Sequence, residues 1–202
     1  MRLLLTSAGL TSKVVAEKFL NELRKPSVEN RILLISLTRN IEEESYTAES
    51  AQELRNLGVS QIVVVDMKDV LNMERLGDFD VVYVCGGNTF SILNRMKETG
   101  LFDFVKKQVT QGALYVGVSA GSIIACLDIA IAGWGSEGDK NEIGLMDLAG
   151  LNFIDISVYP HYRPELRGEV ESFQKTVQHK VYALTDEQAL FVDGSEVAMV
   201  SE

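Results

Sequence analysis

The residue whose surroundings most clearly suit chemistry is Ser119. It lies in Gly117-Val118-Ser119-Ala120-Gly121, a G-x-S-x-G pattern. Residues 113–117 before it have strand character, and Ile123, Ile124 and Ala125 after it can open a helix. At such a strand-to-helix turn the serine is held in a strained backbone. A glycine on each side is needed because flanking side chains would collide. The turn lifts Oγ off the sheet and points the next N–H, that of Ala120, toward a substrate. A serine that merely caps the helix would fit the same five residues. The candidate partners therefore decide.

A serine hydroxyl is a weak nucleophile at neutral pH and needs a base. The chain has two histidines. His161 follows an apolar strand and Pro160, a stiff place at a strand end. His179 stands beside Lys180 near the end of an amphipathic pattern, where a solvated or dipole-facing histidine is expected. His161 is thus the base candidate. A third group must orient the imidazole. Asp139 and Glu142 fall in a loop, Asp155 in a strand, and Asp186 and Glu187 in a turn between strands. Spacing alone leaves these open. Cys85-Gly86-Gly87-Asn88-Thr89 offers a second oxyanion donor if its glycine N–H faces Ser119. A phosphate-cradling turn is the rival reading, but no Walker A or full dinucleotide fingerprint follows.

These groups need a scaffold. The patterning predicts strands at residues 2–6, 31–37, 61–65, 80–84, 113–117 and 152–158, with short closing strands at 181–184, 189–192 and 197–200. Helical spacing is carried by Val15, Phe19 and Leu23, by Ala51, Leu54 and Leu57, by Ile92, Leu93 and Met96, and by residues 101–111. Pro164 and Glu165 open a further helix with Leu166, Val170, Phe173 and Val177 on one face. Apolar runs that do not alternate, separated by helices, imply a mainly parallel sheet covered on both faces. Ligands of such sheets bind beyond the carboxyl ends of the strands. Both the Gly86-Gly87 turn and Ser119 lie there. Residues 127–150, rich in glycine and charge, break the pattern and suggest a long functional or disordered excursion. The glutamate run Glu42 to Glu44 reads as a solvated helix start rather than a metal site.

With 202 residues, 46% hydrophobic, the chain is expected to form one domain over residues 1–202 with a substantial core. A net charge of −10 disfavours nucleic acid, whose phosphates demand cations. Cys85 and Cys126 form no disulfide framework and suit a reducing compartment. No signal-peptide pattern and no apolar run of membrane-spanning length is present, so a cytoplasmic protein without membrane partners is expected. No cofactor or metal is expected. The partner expected is a small peptide or amide substrate, with a homodimer left open.

Taken together, Gly86-Gly87-Asn88-Thr89-Phe90, Gly117-x-Ser119-Ala120-Gly121-Ser122 and Pro160-His161-Tyr162 resemble the peptidase E family, the aspartyl dipeptidases and their relatives. The resemblance runs from the first strand to about Val192. It implies a flavodoxin-like α/β three-layer sandwich, allied to class I glutamine amidotransferases. It also implies Ser119 as nucleophile, His161 as base, and an oxyanion hole from the N–H groups of Gly87 and Ala120, with Asn88 beside the substrate. The family's acid has two placements, which correspond here to Asp139 and Asp186. A short turn between strands holds a carboxylate better than a glycine-rich loop, which favours Asp186. Aspartate-specific members carry an arginine early in the helix after the histidine. Here Gly168-Glu169-Val170-Glu171 puts Glu171 at that place, which argues against aspartate specificity. The expectation is a serine dipeptidase. The alternative is an amidotransferase-like ligand-binding or regulatory domain. Amidotransferases of this fold need a cysteine at the elbow, and Cys126 lies seven residues beyond Ser119.

Overall fold

In the computed structural model, which describes residues 1–69 and 73–202, apolar strands and amphipathic helices alternate along the chain. The elements are β1 (Arg2–Thr6), α1 (Lys13–Glu22), β2 (Arg31–Ser36), α2 (Ile41–Asn56), β3 (Gln61–Asp66), β4 (Val81–Val84), α3 (Thr89–Thr99), α4 (Leu101–Thr110), β5 (Leu114–Val118), α5 (Ala120–Ile124), β6 (Ile156–Tyr159), α6 (Arg167–Gln174), β7 (Lys180–Ala183), β8 (Ala189–Asp193) and β9 (Glu196–Val200).

Among the described residues, seven strands form one sheet in the order β3-β2-β4-β5-β1-β8-β9. From β3 to β1 all neighbours are parallel, and β8 and β9 close the edge antiparallel. The non-alternating strands are explained by burial on both faces. Leu3, Leu5, Leu33, Ile35, Val82 and Val84 face one core, packed with α3, α4 and α5. Their neighbours Leu4, Ile32, Leu34, Val81 and Tyr83 face the other, packed with α1 and α2. This is the three-layer α/β sandwich expected from the sequence.

The end of the chain departs from expectation. The strand expected over 152–158 forms at Ile156–Tyr159; Asn152 takes a φ of 54°, and residues 152–154 pair instead with the segment after α5, where Ile154 bridges Cys126. β6 does not join the main sheet. It pairs in parallel with β7 in a sheet of two strands, so the segment read as the first closing strand serves β6 instead. The helix after Pro164 starts as a short 3₁₀ turn and ends at Gln174, leaving Val177 beyond it. There the Thr176 hydroxyl donates to the Phe173 carbonyl at 2.7 Å. The Gln174 amide donates to the His179 carbonyl and accepts from the Val181 N–H, each at 2.9 Å. The Phe173 carbonyl, which another helical turn would have paired with the N–H of Val177, thus accepts from Thr176 instead. His179 consequently leads into β7 rather than ending a helix.

Candidate active site

Ser119 ends β5 at φ 49° and ψ −106°, outside the ordinary regions for a residue with a side chain. Such a conformation costs on the order of 1–3 kcal/mol and persists only when its surroundings enforce it. Those surroundings are visible. The Ser119 N–H donates to the Thr6 carbonyl at 3.0 Å, next to the end of β1. The Ser122 hydroxyl, one turn into α5, lies 2.7 Å from the Thr6 carbonyl and 2.8 Å from that of Gly117. The buried Tyr115 hydroxyl donates to the Gly121 carbonyl at 2.7 Å. The two glycines of the pattern answer to close approach. A Cβ on Gly117 would stand 2.6 Å from the Gly121 backbone, and one on Gly121 would stand 2.3 Å from the Val84 carbonyl oxygen. Strand and helix touch here through backbone alone.

His161 also has a positive φ, of 55°. Among the described residues only Ser119, Asn152 and His161 depart from negative φ without being glycine. The His161 Nε2 lies 2.9 Å from Ser119 Oγ, and its Nδ1 lies 2.7 Å from Asp186 Oδ1. An ionised carboxylate only accepts, so Nδ1 carries the proton and Nε2 is free to accept from Ser119.

The fold explains how residues so far apart in sequence meet. β6 and β7 run in parallel, so both deliver their carboxyl ends to one place. The pairing continues past the strands: the Leu184 N–H donates to the Tyr159 carbonyl and the Tyr162 N–H to the Leu184 carbonyl, both at 2.9 Å. His161 lies between those two partners, and Asp186 follows Leu184. The chain then crosses from the small sheet to β8, whose Ala189 pairs with Thr6 of β1.

That crossing brings in a residue the sequence reading missed. Ser7, buried just beyond β1, donates to Asp186 Oδ1 at 2.8 Å and accepts from the His161 N–H at 2.7 Å. It holds the strained histidine backbone and the carboxylate together. Its position at the carboxyl end of a central strand was the available signal.

The other sequence candidates are placed differently. Asp139 does not bond to His161. Its Oδ2 accepts from the N–H and hydroxyl of Thr89, at 2.7 and 2.6 Å, and so ties the loop to the start of α3. An aspartate at a helix N-terminus satisfies orphan donors and the dipole, which explains this location. The loop over 127–150 is ordered further by a 3₁₀ turn at Ala130–Gly133, whose Ala132 carbonyl accepts from the Asp139 N–H at 2.7 Å. Asn88 caps α3 through the Ser91 N–H at 3.0 Å, and its amide donates to the Lys140 carbonyl at 3.0 Å. Gly86 lies against the elbow, where an added Cβ would stand 3.5 Å from Ser119 Cβ. Gly87 follows at φ 137° and, with Ser119, lines the cavities described next.

Two cavities flank Ser119 and His161. The smaller, of about 130 Å³, is lined by Ile131, Trp134, Glu137, Tyr159 and Leu166 among others. Behind its Tyr159, Glu169 accepts from the Ser136 hydroxyl at 2.8 Å, which holds its carboxyl below the usual range, and from the Tyr159 hydroxyl at 3.1 Å. Burial and Glu169 push the Tyr159 hydroxyl up to about 12. Glu171, the residue matched to the family's arginine, is exposed on α6 and lines neither cavity. Glu169, two residues earlier, lines neither cavity itself and reaches the smaller one through its bond to Tyr159. The larger cavity, of about 690 Å³, opens on the opposite side against α2. Among the described residues no group of three or more His, Cys, Asp or Glu is arranged to hold a metal ion, and no helix is long and apolar enough to cross a membrane.

The profile of peptidase family S51 matches residues 3–200. An uncharacterised peptidase of Listeria monocytogenes is 29% identical over 176 residues, covering 82% of this chain and 83% of the relative. Peptidase E of Escherichia coli is 33% identical over 122 residues, which is 59% of this chain and 49% of that protein. The crystal structure of a candidate peptidase E protein from Listeria monocytogenes superposes with a TM-score of 0.76 at 27% identity, covering 98% of this chain and 96% of that one. A peptidase from an acI-B1 actinobacterium shares the fold, with a TM-score of 0.67 at 17% identity. The profile match takes in the elbow, the histidine and the late carboxylate alike, and the chain belongs to peptidase family S51, a family of serine peptidases.

Proposed function

We propose that this peptidase cleaves short peptides through an acyl-enzyme, with Ser119 as nucleophile, His161 as base and Asp186 as the group that orients the imidazole. The observation that carries the reading is the unbroken line from Ser119 Oγ through His161 to Asp186, at 2.9 and 2.7 Å, with the serine in a strained turn. Ser119 Oγ attacks the scissile carbonyl carbon while Nε2 takes its proton. Negative charge develops on the carbonyl oxygen, and the N–H groups of Gly87 and Ala120 are the donors proposed to meet it. The imidazolium then gives its proton to the departing amine as the C–N bond breaks. Water repeats the sequence on the acyl-enzyme and releases the acid. Asp186 steadies the imidazolium without taking its proton.

Binding at the amino-terminal residue is proposed to favour neutral or basic side chains over aspartate. An aspartate carboxylate needs a cation, best a guanidinium with two parallel donors. Arg163, in the histidine segment, is tied to Glu137, and apart from His161 the ionisable groups of Asp, Glu, Lys, Arg or His type that line the smaller cavity are the carboxylates of Glu137 and Asp139. The amidotransferase-like alternative is disfavoured by Cys126, which is fully buried with its thiol pushed up to about 12 by that burial. The test is a dipeptide library with released amino acids identified by mass spectrometry and Ser119→Ala as the blank. Cleavage that vanishes in the variant supports the reading. Strong preference for Asp-Xaa peptides would overturn the specificity, and release by Ser119→Ala equal to wild type would overturn the mechanism.

A further inference from the structure

Part of the wall of the smaller cavity lies outside the sheet. Trp134, Glu137, Gly138 and Asp139 of the 127–150 excursion line it, together with Tyr159, Pro160 and His161 at the end of β6. The tip of that excursion is a closed turn. A Cβ on Gly138 would stand 2.6 Å from the Gly133 backbone, and the Asp139 N–H donates to the Ala132 carbonyl at 2.7 Å. With its ends in backbone contact, the turn over 133–138 is a compact unit in the manner of an Ω-loop. What holds its tip therefore holds this wall.

One side chain of α6 holds the tip. Glu169 Oε1 accepts from the Ser136 N–H at 3.2 Å and from the Ser136 hydroxyl at 2.8 Å, while Oε2 accepts from the Tyr159 hydroxyl at 3.1 Å. The carboxylate thus joins the loop wall to the strand end that carries His161, through charge-assisted bonds stronger than neutral ones. The fit is close. A Cβ on Gly135 would stand 2.0 Å from Glu169 Oε2, and Gly135 has a φ of 84°, so glycine lets the backbone lie against the carboxylate. Trp134 is held by the same helix. Its indole N–H lies 3.0 Å from the Glu169 carbonyl and 3.2 Å from the Ser172 hydroxyl, and its ring meets Phe173 edge-on at 5.3 Å.

The wall so held encloses little space. The whole cavity offers about 130 Å³, which includes the place beside Ser119 where the scissile carbonyl must lie. An apolar cavity of about 150 Å³ accommodates benzene. What remains here once the carbonyl is seated is less than a phenyl ring needs. Ile123, Ile131, Ala132, Trp134 and Leu166 supply an apolar lining.

We propose that Glu169 is a positioning residue that fixes the 133–138 turn against the end of β6 and thereby limits the residue on the amino side of the scissile bond to a compact neutral side chain. This deepens the acyl-enzyme reading and rests on it. The catalytic line is braced separately, since Ser7 bonds both His161 and Asp186. Loss of Glu169 is therefore felt in substrate fit before it is felt in the chemical step.

The experiment measures kcat and KM for Ala-Leu, Val-Leu and Phe-Leu by released leucine, in wild type, Glu169→Ala, Glu169→Gln, Ser136→Ala and the Glu169→Ala/Ser136→Ala pair. The expected wild-type kcat/KM is about tenfold higher for the better of Ala-Leu and Val-Leu than for Phe-Leu. Glu169→Ala should reduce that ratio about fivefold, chiefly by raising KM for the small substrates, with kcat within about threefold. Ser136→Ala should move it the same way and less, and the double variant should go no further than Glu169→Ala alone. Glu169→Gln, whose amide can still bridge Ser136 and Tyr159, should restore most of the ratio. The ratio is the readout because general damage to the fold lowers all three substrates together. Wild-type preference for Phe-Leu, a ratio unmoved by Glu169→Ala, or an equal fall in kcat for every substrate would overturn the proposal while leaving Ser119 chemistry intact. No Ser119-dependent release from any of the three would instead overturn the acyl-enzyme reading, and the proposal with it.

Discussion

The molecule contains two serine–histidine–aspartate groupings, and they differ in every respect except composition. In one, Ser119, His161 and Asp186 are joined at 2.9 and 2.7 Å. In the other, Ser157, His179 and Asp155 are joined at 2.8 and 3.5 Å. Ser157 is 1% exposed and sits in the regular strand β6, between residues paired to β7. Its histidine is 12% exposed, against 48% for the His161 side chain. The first grouping ends on a strained hydroxyl between two cavities. The second ends on a hydroxyl that no substrate carbonyl can approach, and it clamps the approach to β7 against β6. Residue types and a hydrogen bond do not make a nucleophile. On the proposed mechanism, access and backbone strain are what separate the serine assigned as nucleophile from the structural one.

The largest effect that should distinguish the two groupings is loss of a hydroxyl. Ser119→Ala should lower kcat by about 10³ or more with the fold retained, whereas Ser157→Ala should stay within about threefold. Steady-state kinetics on the best library peptide, with circular dichroism for the fold, checks both. A matched loss in both variants would collapse the distinction. Next come the carboxylates. Asp186→Asn should cost on the order of 10²–10³ in kcat by misorienting the imidazole, and Asp155→Asn should leave kcat within about twofold. A large loss from Asp139→Asn with full activity in Asp186→Asn would move the acid to the loop.

Ser7 sharpens the comparison, since the Ser157 grouping has no such brace. Ser7→Ala should reduce kcat about tenfold through a loosened His161–Asp186 pair, with KM little changed. The smallest effect on rate belongs to His179. His179→Ala should lower stability by about 1–2 kcal/mol in urea titration while activity at low denaturant persists. An inactive but fully stable His179→Ala protein would show that the buried grouping takes part in chemistry.

How much of this was readable in the sequence follows from how local each feature is. The sandwich was legible because burial on both faces leaves non-alternating runs such as Leu3-Leu4-Leu5 and Val81-Val82-Tyr83-Val84. The elbow was legible because its glycine constraints fall within five residues. Asp186 could be favoured over Asp139 but not fixed, since its approach to His161 depends on β6 and β7 leaving the main sheet together. That departure is not written in either strand's pattern. Ser7 was missed because its role appears only once β8 pairs with β1. His179 was read as a solvated helix end because Val170, Phe173 and Val177 keep helical spacing past the true end of α6. The hydrogen bonds of Gln174 and Thr176 that accompany the helix end lie within residues 173–181, but apolar spacing does not register them.

The central claim is that one serine, and not its counterpart, is the nucleophile. A fluorophosphonate that traps activated serines tests it directly, followed by intact-mass measurement and peptide mapping. The account predicts a single adduct on Ser119, absent in Ser119→Ala, slowed strongly in His161→Ala and unchanged in Ser157→Ala. An adduct on Ser157 or Ser7, or full peptidase activity remaining after Ser119 is stoichiometrically modified, would contradict it.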